Sequence, residues 1–188
     1  MKTLTASLLA LAGIALSACG GGGAMTPAPA TPLANAQGHL DTIWSADLGA
    51  AATEAMPGVG NAVYAGSMGF GTADFPDRAS VGTATLNVDF AAESMSGTAT
   101  DWYRTQFDEE GTVIFAEAME GSLDLGGTFS GANGVLLVSG EVANTNVLGA
   151  VGTVFQGAGA ETLLGLGTAD LESGGNFNTA DIYLSVSK

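Results

Sequence analysis

The chain has 188 residues, four Lys or Arg against nineteen Asp or Glu, and a formal net charge of −15. That balance excludes nucleic-acid binding, whose affinity comes from Lys and Arg set against phosphates, and it excludes attraction to anionic lipid headgroups. With one cysteine and one histidine there is no disulfide framework, no thiolate metal cluster, and little material for thiol or imidazole catalysis.

In chain order, Met1-Lys2 and the apolar run from Leu4 to Leu16 form the charged and hydrophobic regions of a secretory signal peptide, 1–18. The run is shorter than the ~20 apolar residues that a membrane-spanning helix needs. Its boundary, Leu16-Ser17-Ala18-Cys19, matches the lipobox of bacterial lipoproteins. Cys19 is therefore the expected lipidation site, because its thiolate is the available nucleophile for a diacylglyceryl group. Several acyl chains, palmitate among them, give durable anchoring to the lipid bilayer at ~0.8 kcal/mol per buried methylene. Residues 19–38 are mostly Gly, Ala, Pro, Thr, Asn and Gln, and such a stretch buries too little to offset its ordering entropy. It reads as a flexible tether reaching ~60 Å when fully extended, at ~3.3 Å per residue. Removal of the signal leaves Arg78, Arg104 and Lys188 against the nineteen acids, a formal charge of −16. Such a field keeps a tethered domain soluble and steers a basic partner inward.

Residues 39–56 form the expected short helical segment, with Leu40, Ile43, Trp44 and Leu48 on one face at i, i+3, i+4 and i+8. From there apolar and polar residues alternate. In "GTATLNVDF", Ala84, Leu86, Val88 and Phe90 share one face, and Thr83, Thr85, Asn87 and Asp89 share the other. The runs predict eight to nine strands at 62–71, 81–91, 94–104, 111–119, 121–130, 134–143, 149–156, 161–170 and 177–186. Turn signals such as Phe75-Pro76-Asp77, Asn133-Gly134 and Ser173-Gly174-Gly175 separate them. Regular spacing suggests a meandering antiparallel barrel or sandwich, and a barrel leaves no free edge. Gly97, Gly127, Gly140, Gly165 and Gly167 fall inside the runs, where tight corners or bulges use them. Outward Thr, Asn, Asp and Ser argue against a transmembrane barrel, whose lipid-facing band is apolar.

"FQGAGAETLLG", residues 155–165, resembles the barrel signature of the transferrin-binding protein B family through Phe155, Gly157, Ala160, Glu161, Leu163 and Gly165. "MPGVGNAVYAGSMGFG" is similar to that family's first barrel strand, with Tyr64 and Gly66 at its Tyr-x-Gly positions, and "ATLNVDFAAESMSGTA" to its next hairpin. The resemblance covers roughly residues 57–188. It implies an all-β fold: an eight-stranded antiparallel up-and-down β-barrel, here with a short N-terminal helix. It also implies an outer-membrane lipoprotein, on the cell surface or the periplasmic face, with an accessory role in iron or haem acquisition. The family's two-lobed members add handle domains that contribute to transferrin capture. This chain has one barrel and no room for a handle beyond 40–56, so it looks closer to the short transferrin-binding protein-like solute-binding lipoproteins.

For binding, Trp102, Tyr103 and Phe107 are the candidates, aromatics beside an acidic turn. His39 at the tether's end reads as a solvated linker histidine, and Asp108-Glu109-Glu110 as a solvated hairpin tip without the ligand spacing of a calcium loop. Neither catalytic residues nor a cofactor nor a metal site is expected, and the chain is read as a monomeric non-enzyme. Two functional readings follow. In one, the soluble barrel of an anchored lipoprotein binds a protein or small solute; in the other, it is a structural or interaction lipoprotein of the envelope with no solute ligand.

Overall fold

Alternating apolar and polar residues from Asn61 onward give nine antiparallel strands in a computed structural model that describes residues 30–188. The expected signal peptide, Cys19 and the part of the expected tether up to residue 29 lie outside the described residues. The strands are β1 (Asn61–Gly71), β2 (Arg78–Asp89), β3 (Ser94–Phe107), β4 (Val113–Met119), β5 (Gly121–Ser130), β6 (Asn133–Val142), β7 (Thr145–Gln156), β8 (Thr162–Ser173) and β9 (Asn176–Ser187). Among the described residues a single helix, α1 (Pro32–Trp44), precedes them.

Eight of the strands close into the expected barrel. The order runs β2-β1-β9-β8-β7-β6-β5-β3, and a further β2–β3 pairing joins the ends. The ninth, β4, extends the line of β5 along the same edge of β3: β5 pairs with Ser94–Ala99, and β4 with Trp102–Phe107. Between those two stretches β3 carries a bulge, where Gly82 faces both Asp101 and Trp102. Asp101 has φ of 52° there, and the extra residue bends the strand. The β2–β3–β4 layer thus rises past the barrel mouth.

Side chains fill the barrel, as eight-stranded barrels require. The inward faces contribute Met68, Leu86, Leu123, Leu136, Ile182 and Leu184, all buried. Curling a sheet this tightly brings neighbouring backbones together. At Gly97 and Gly127 an added Cβ would lie 2.0 Å from a carbonyl oxygen of the adjacent strand, so only glycine fits.

The residues of "FQGAGAETLLG" close one end of this barrel. Phe155 packs between Tyr64, Phe90 and Phe129, with ring centroids 5.1–6.2 Å apart. After it the chain turns back through Gly157 (φ 80°) and Ala160 (φ 59°), and the Ala160 carbonyl accepts a hydrogen bond from the buried Tyr64 hydroxyl. Burial pushes the Tyr64 phenol up to about 12. The motif is thus a plug that pairs the β7–β8 turn with β1.

The helix departs from expectation at both ends. It begins at Pro32, inside the stretch read as tether, because Thr31 caps it by accepting from the Ala34 amide at 3.3 Å and Pro32 suits its first turn. It ends at Trp44, so Leu48 lies beyond it in a turn and is exposed. His39 is consequently a mid-helix, half-buried residue and not a linker histidine.

Tyr64→Phe leaves the buried Ala160 carbonyl without its donor. We expect a loss of about 1–2 kcal/mol of stability, measurable by urea denaturation with an unchanged slope.

Candidate functional site: a cleft between the helix and the barrel mouth

The helix lies across the outer face of the sheet, on β1–β4 and β9. Ala36 and Leu40 bury against Val81 and Val113, with Ile43 partly buried beside them. A Cβ at Gly69 would sit 2.9 Å from Ile43 Cδ1, so glycine there makes room for the helix. Gln37 supplies the polar lock. Its Oε1 accepts from the Val113 amide at 2.7 Å, and its Nε2 donates to the Asp41 carboxylate at 2.8 Å and the Gly111 carbonyl at 3.4 Å. Beyond the helix, Gln156 donates to the Asp47 and Ala50 carbonyls, both at 3.1 Å.

This placement sets Trp44 at the helix end against Phe107, edge to face, with centroids 5.3 Å apart. Opposite them the β1–β2 loop carries Phe75-Pro76. Between these walls opens a cleft of about 340 Å3, lined chiefly by Leu40, Ile43, Trp44, Phe75, Phe107 and Tyr183. Trp44 remains 48% exposed and Phe75 52%. Large aromatics left half in water around a concavity are the anchors that binding sites use. Arg78 and Asp181 supply the charges at the cleft. The Arg78 guanidinium sits 5.1 Å from the centre of the Phe75 ring and 4.0 Å from the Asp77 carboxylate, with both ionic side chains about half exposed. Such an exposed pair contributes little to stability.

A second, polar recess lies on the other flank of the helix, among Asn35, His39, Thr42, Ser67, Asp101 and Tyr103. His39 Nδ1 is 2.9 Å from Ser67 Oγ, and Tyr103 OH accepts from Asn35 Nδ2 at 2.9 Å. A serine beside an imidazole invites comparison with a nucleophile and its base. Here the hydroxyl is buried, and Asp101 accepts only from Thr100 Oγ1 among the described residues. Among the described residues no carboxylate accepts a hydrogen bond from the imidazole, and the His39–Ser67 contact clasps the helix to the barrel. Burial pushes the His39 pKa below its ordinary 6.5, with the Asp101 charge opposing that shift.

The three aromatics expected to bind are separated. Trp102 points into the barrel, packs on Phe70 at 5.3 Å, and donates from Nε1 to the Ala99 carbonyl at 3.2 Å; it is buried core and presents nothing to a ligand. Tyr103, one residue on, faces outward into the polar recess. Phe107 lines the apolar cleft. The Asp108-Glu109-Glu110 tip is a turn in which Asp108 accepts from the Thr112 amide at 2.7 Å. No group of three or more His, Cys, Asp or Glu poised for a metal ion occurs among the described residues. Sequence reasoning missed Trp44, Phe75 and Tyr183 as cleft residues: the first was placed on the helix's packing face and the second in a turn. The signal available was Phe75-Pro76, an aromatic within a loop that has no core to enter.

No protein-family model matches the chain, and no curated protein matches it. Among solved structures it is similar to a single-site mutant of transferrin-binding protein B, a vaccine antigen from Haemophilus parasuis, at 16% identity with a TM-score of 0.38. The match covers 71% of this chain and 28% of that one. The chain thus spans little more than a quarter of that protein's length, and so distant a likeness assigns nothing to it.

The clasp gives a pH signature. Because the folded His39 pKa lies below the unfolded value, the unfolded chain takes up the proton first. The stability tied to neutral His39 is complete above pH 6.5 and is lost as pH falls through 6.5 toward the folded pKa. Urea midpoints from pH 7.5 to 5 should fall more steeply for the native chain than for His39→Gln.

Proposed function

We propose that this chain is a lipid-anchored envelope protein that binds, and does not transform, a ligand: a protein segment or small solute with an apolar group fitting the Trp44–Phe75–Phe107–Tyr183 cleft. The observation that carries this reading is the exposure of aromatic side chains around a concavity on a barrel whose own interior is filled. The lipobox at Cys19 and the barrel motifs over residues 57–188 support an outer-membrane location, facing the cell surface or the periplasm. An accessory role in iron or haem acquisition belongs to the same reading, and haem is one of the solutes to test.

The protein carries its own reporter. It has two tryptophans, of which Trp102 is sealed in the core and Trp44 stands at the cleft. Titration with haem, other planar apolar solutes and aromatic-rich peptides should change the emission of Trp44 in the native chain. Phe75→Ala should weaken any such ligand by about tenfold or more, as loss of a buried aromatic anchor does. If no solute or peptide perturbs Trp44, the chain is an interaction lipoprotein with no solute, a reading that the exposed apolar side chains on the outer sheet face favour.

The anchor is tested separately. Cys19→Ala should abolish fatty-acid labelling and release or mislocalise the protein; attachment that persists without acylation excludes Cys19 as the anchor.

A further inference from the structure

The outward side of β5–β9, away from most of the helix contacts, is ordered in cross-strand rows. One row reads Thr128, Val135, Gly152, Leu166, Tyr183, and the next Gly126, Leu137, Ala150, Thr168, Asp181. Two further rows toward the barrel mouth read Asp124, Ser139, Leu148, Asp170, Thr179 and then Ser122, Glu141, Asn146, Glu172, Phe177. An apolar band therefore lies beside an acidic one. Leu137 is 61% exposed and Leu148 67%, and Val135 and Leu166 are also exposed. An apolar cluster this contiguous on an outer sheet face marks an interaction surface more than chance exposure.

Two glycines sharpen this reading. An added Cβ at Gly126 would meet nothing within 4 Å, and one at Gly152 would meet only the Leu166 carbonyl, at an ordinary 3.7 Å. Neither has the positive φ that forces glycine elsewhere in the chain. The backbone would accept side chains at both positions; Gly152 leaves a shallow trough between the Val135–Leu137 ridge and Leu166, and Gly126 leaves the outer flank of Leu137 open. Glycine at such exposed strand positions costs stability relative to β-branched residues, and the trough is what that cost leaves behind.

The charges select the occupant. Asp124, Glu141, Asp170, Glu172 and Asp181 flank the band, and no Lys or Arg lies in any of these rows. The ion pairs among the described residues, Arg78–Asp77 and Arg104–Glu117, lie elsewhere. A second copy packed face to face would set these acids against their own kind, and an anionic membrane surface would be repelled. The strands that carry Val135, Leu137 and Leu166, β6 to β8, span roughly 10 Å of the curved wall at ~4.8 Å per strand, and the rows span roughly 20 Å along them. That is about a quarter of the ~800 Å2 per partner of a standard protein interface, and its length is that of a helix of about 13 residues.

We propose that the β5–β9 face docks a basic amphipathic segment of a partner protein. Its apolar stripe lies along the Val135–Leu137–Leu166 trough, and its Lys and Arg side chains meet the acidic rows. This rests on the reading of the chain as a binding protein, and the Val135–Leu137–Leu166 trough lies beside the Trp44 cleft, the two meeting at Tyr183 and Asp181.

The probe is a synthetic Leu/Lys amphipathic peptide of about 14 residues, with a Leu/Glu peptide of the same pattern as control and fluorescence anisotropy as the readout. The native chain should bind the Leu/Lys peptide, less tightly as salt rises, and should ignore the Leu/Glu peptide. Leu166→Ser and Gly152→Lys, both at exposed positions that leave the core intact, should each weaken binding about tenfold. Trp44→Ala should leave it unchanged, so failure of the cleft and failure of this face are separable. Equal binding of the peptide by Leu166→Ser and the native chain would reduce the effect to bulk charge and overturn the proposal. Failure to bind the peptide would also overturn it, as would a native dimer in sedimentation that Leu166→Ser dissolves.

Discussion

Everything in this molecule depends on how sharply its sheet is curled. Closing eight strands over a core of Leu, Val and aromatic side chains brings backbones so near that Gly97 and Gly127 cannot carry a Cβ. The same curl fills the interior and leaves no room there for a ligand. The surfaces left for contact are on the outside of the barrel: a helix, a loop and bare sheet faces. The Trp44 cleft and the β5–β9 face are both among them.

The helix is the second determinant, and it is local in origin. A threonine cap and a proline in the first turn start it, and Leu40 and Ile43 bind it to the sheet. Burial of two such side chains contributes on the order of 1.5–3 kcal/mol each, reduced here by the partial exposure of Ile43. Gln37 then satisfies the first amide of β4, a strand that pairs with β3 and extends beyond the closed barrel. Helix and overhanging strand support one another, and the aromatic cleft is the space left at the helix's far end.

The strands were legible because burial on one side writes a period of two directly into residues such as Ala84, Leu86 and Val88. Closure was legible only as a preference, since pairing of β1 with β9 joins segments that no local pattern connects. The helix start at Thr31-Pro32 was hidden by its surroundings: a cap and a first-turn proline inside an Ala/Pro-rich stretch look like linker composition. Trp102 shows the opposite difficulty. Its neighbour Tyr103 faces the other side of the same strand, and the bulge at Asp101 shifts the parity that would tell the two apart. For Phe75 the sequence shows only an aromatic in a loop; which wall it forms depends on where the rest of the chain places the helix and β9.

The pairing of Asn61–Gly71 with Asn176–Ser187 also fixes when the domain can exist. Its first strand pairs early with the second but finds its other neighbour only in the last, so the contacts that complete the sheet join residues more than a hundred positions apart. Such topologies fold slowly, since loop closure must precede the contacts that reward it. While the C-terminal strand is still to come, the sheet has two open edges and no completed barrel. Once Leu184 and Val186 pair with their neighbours, both edges vanish in a single step.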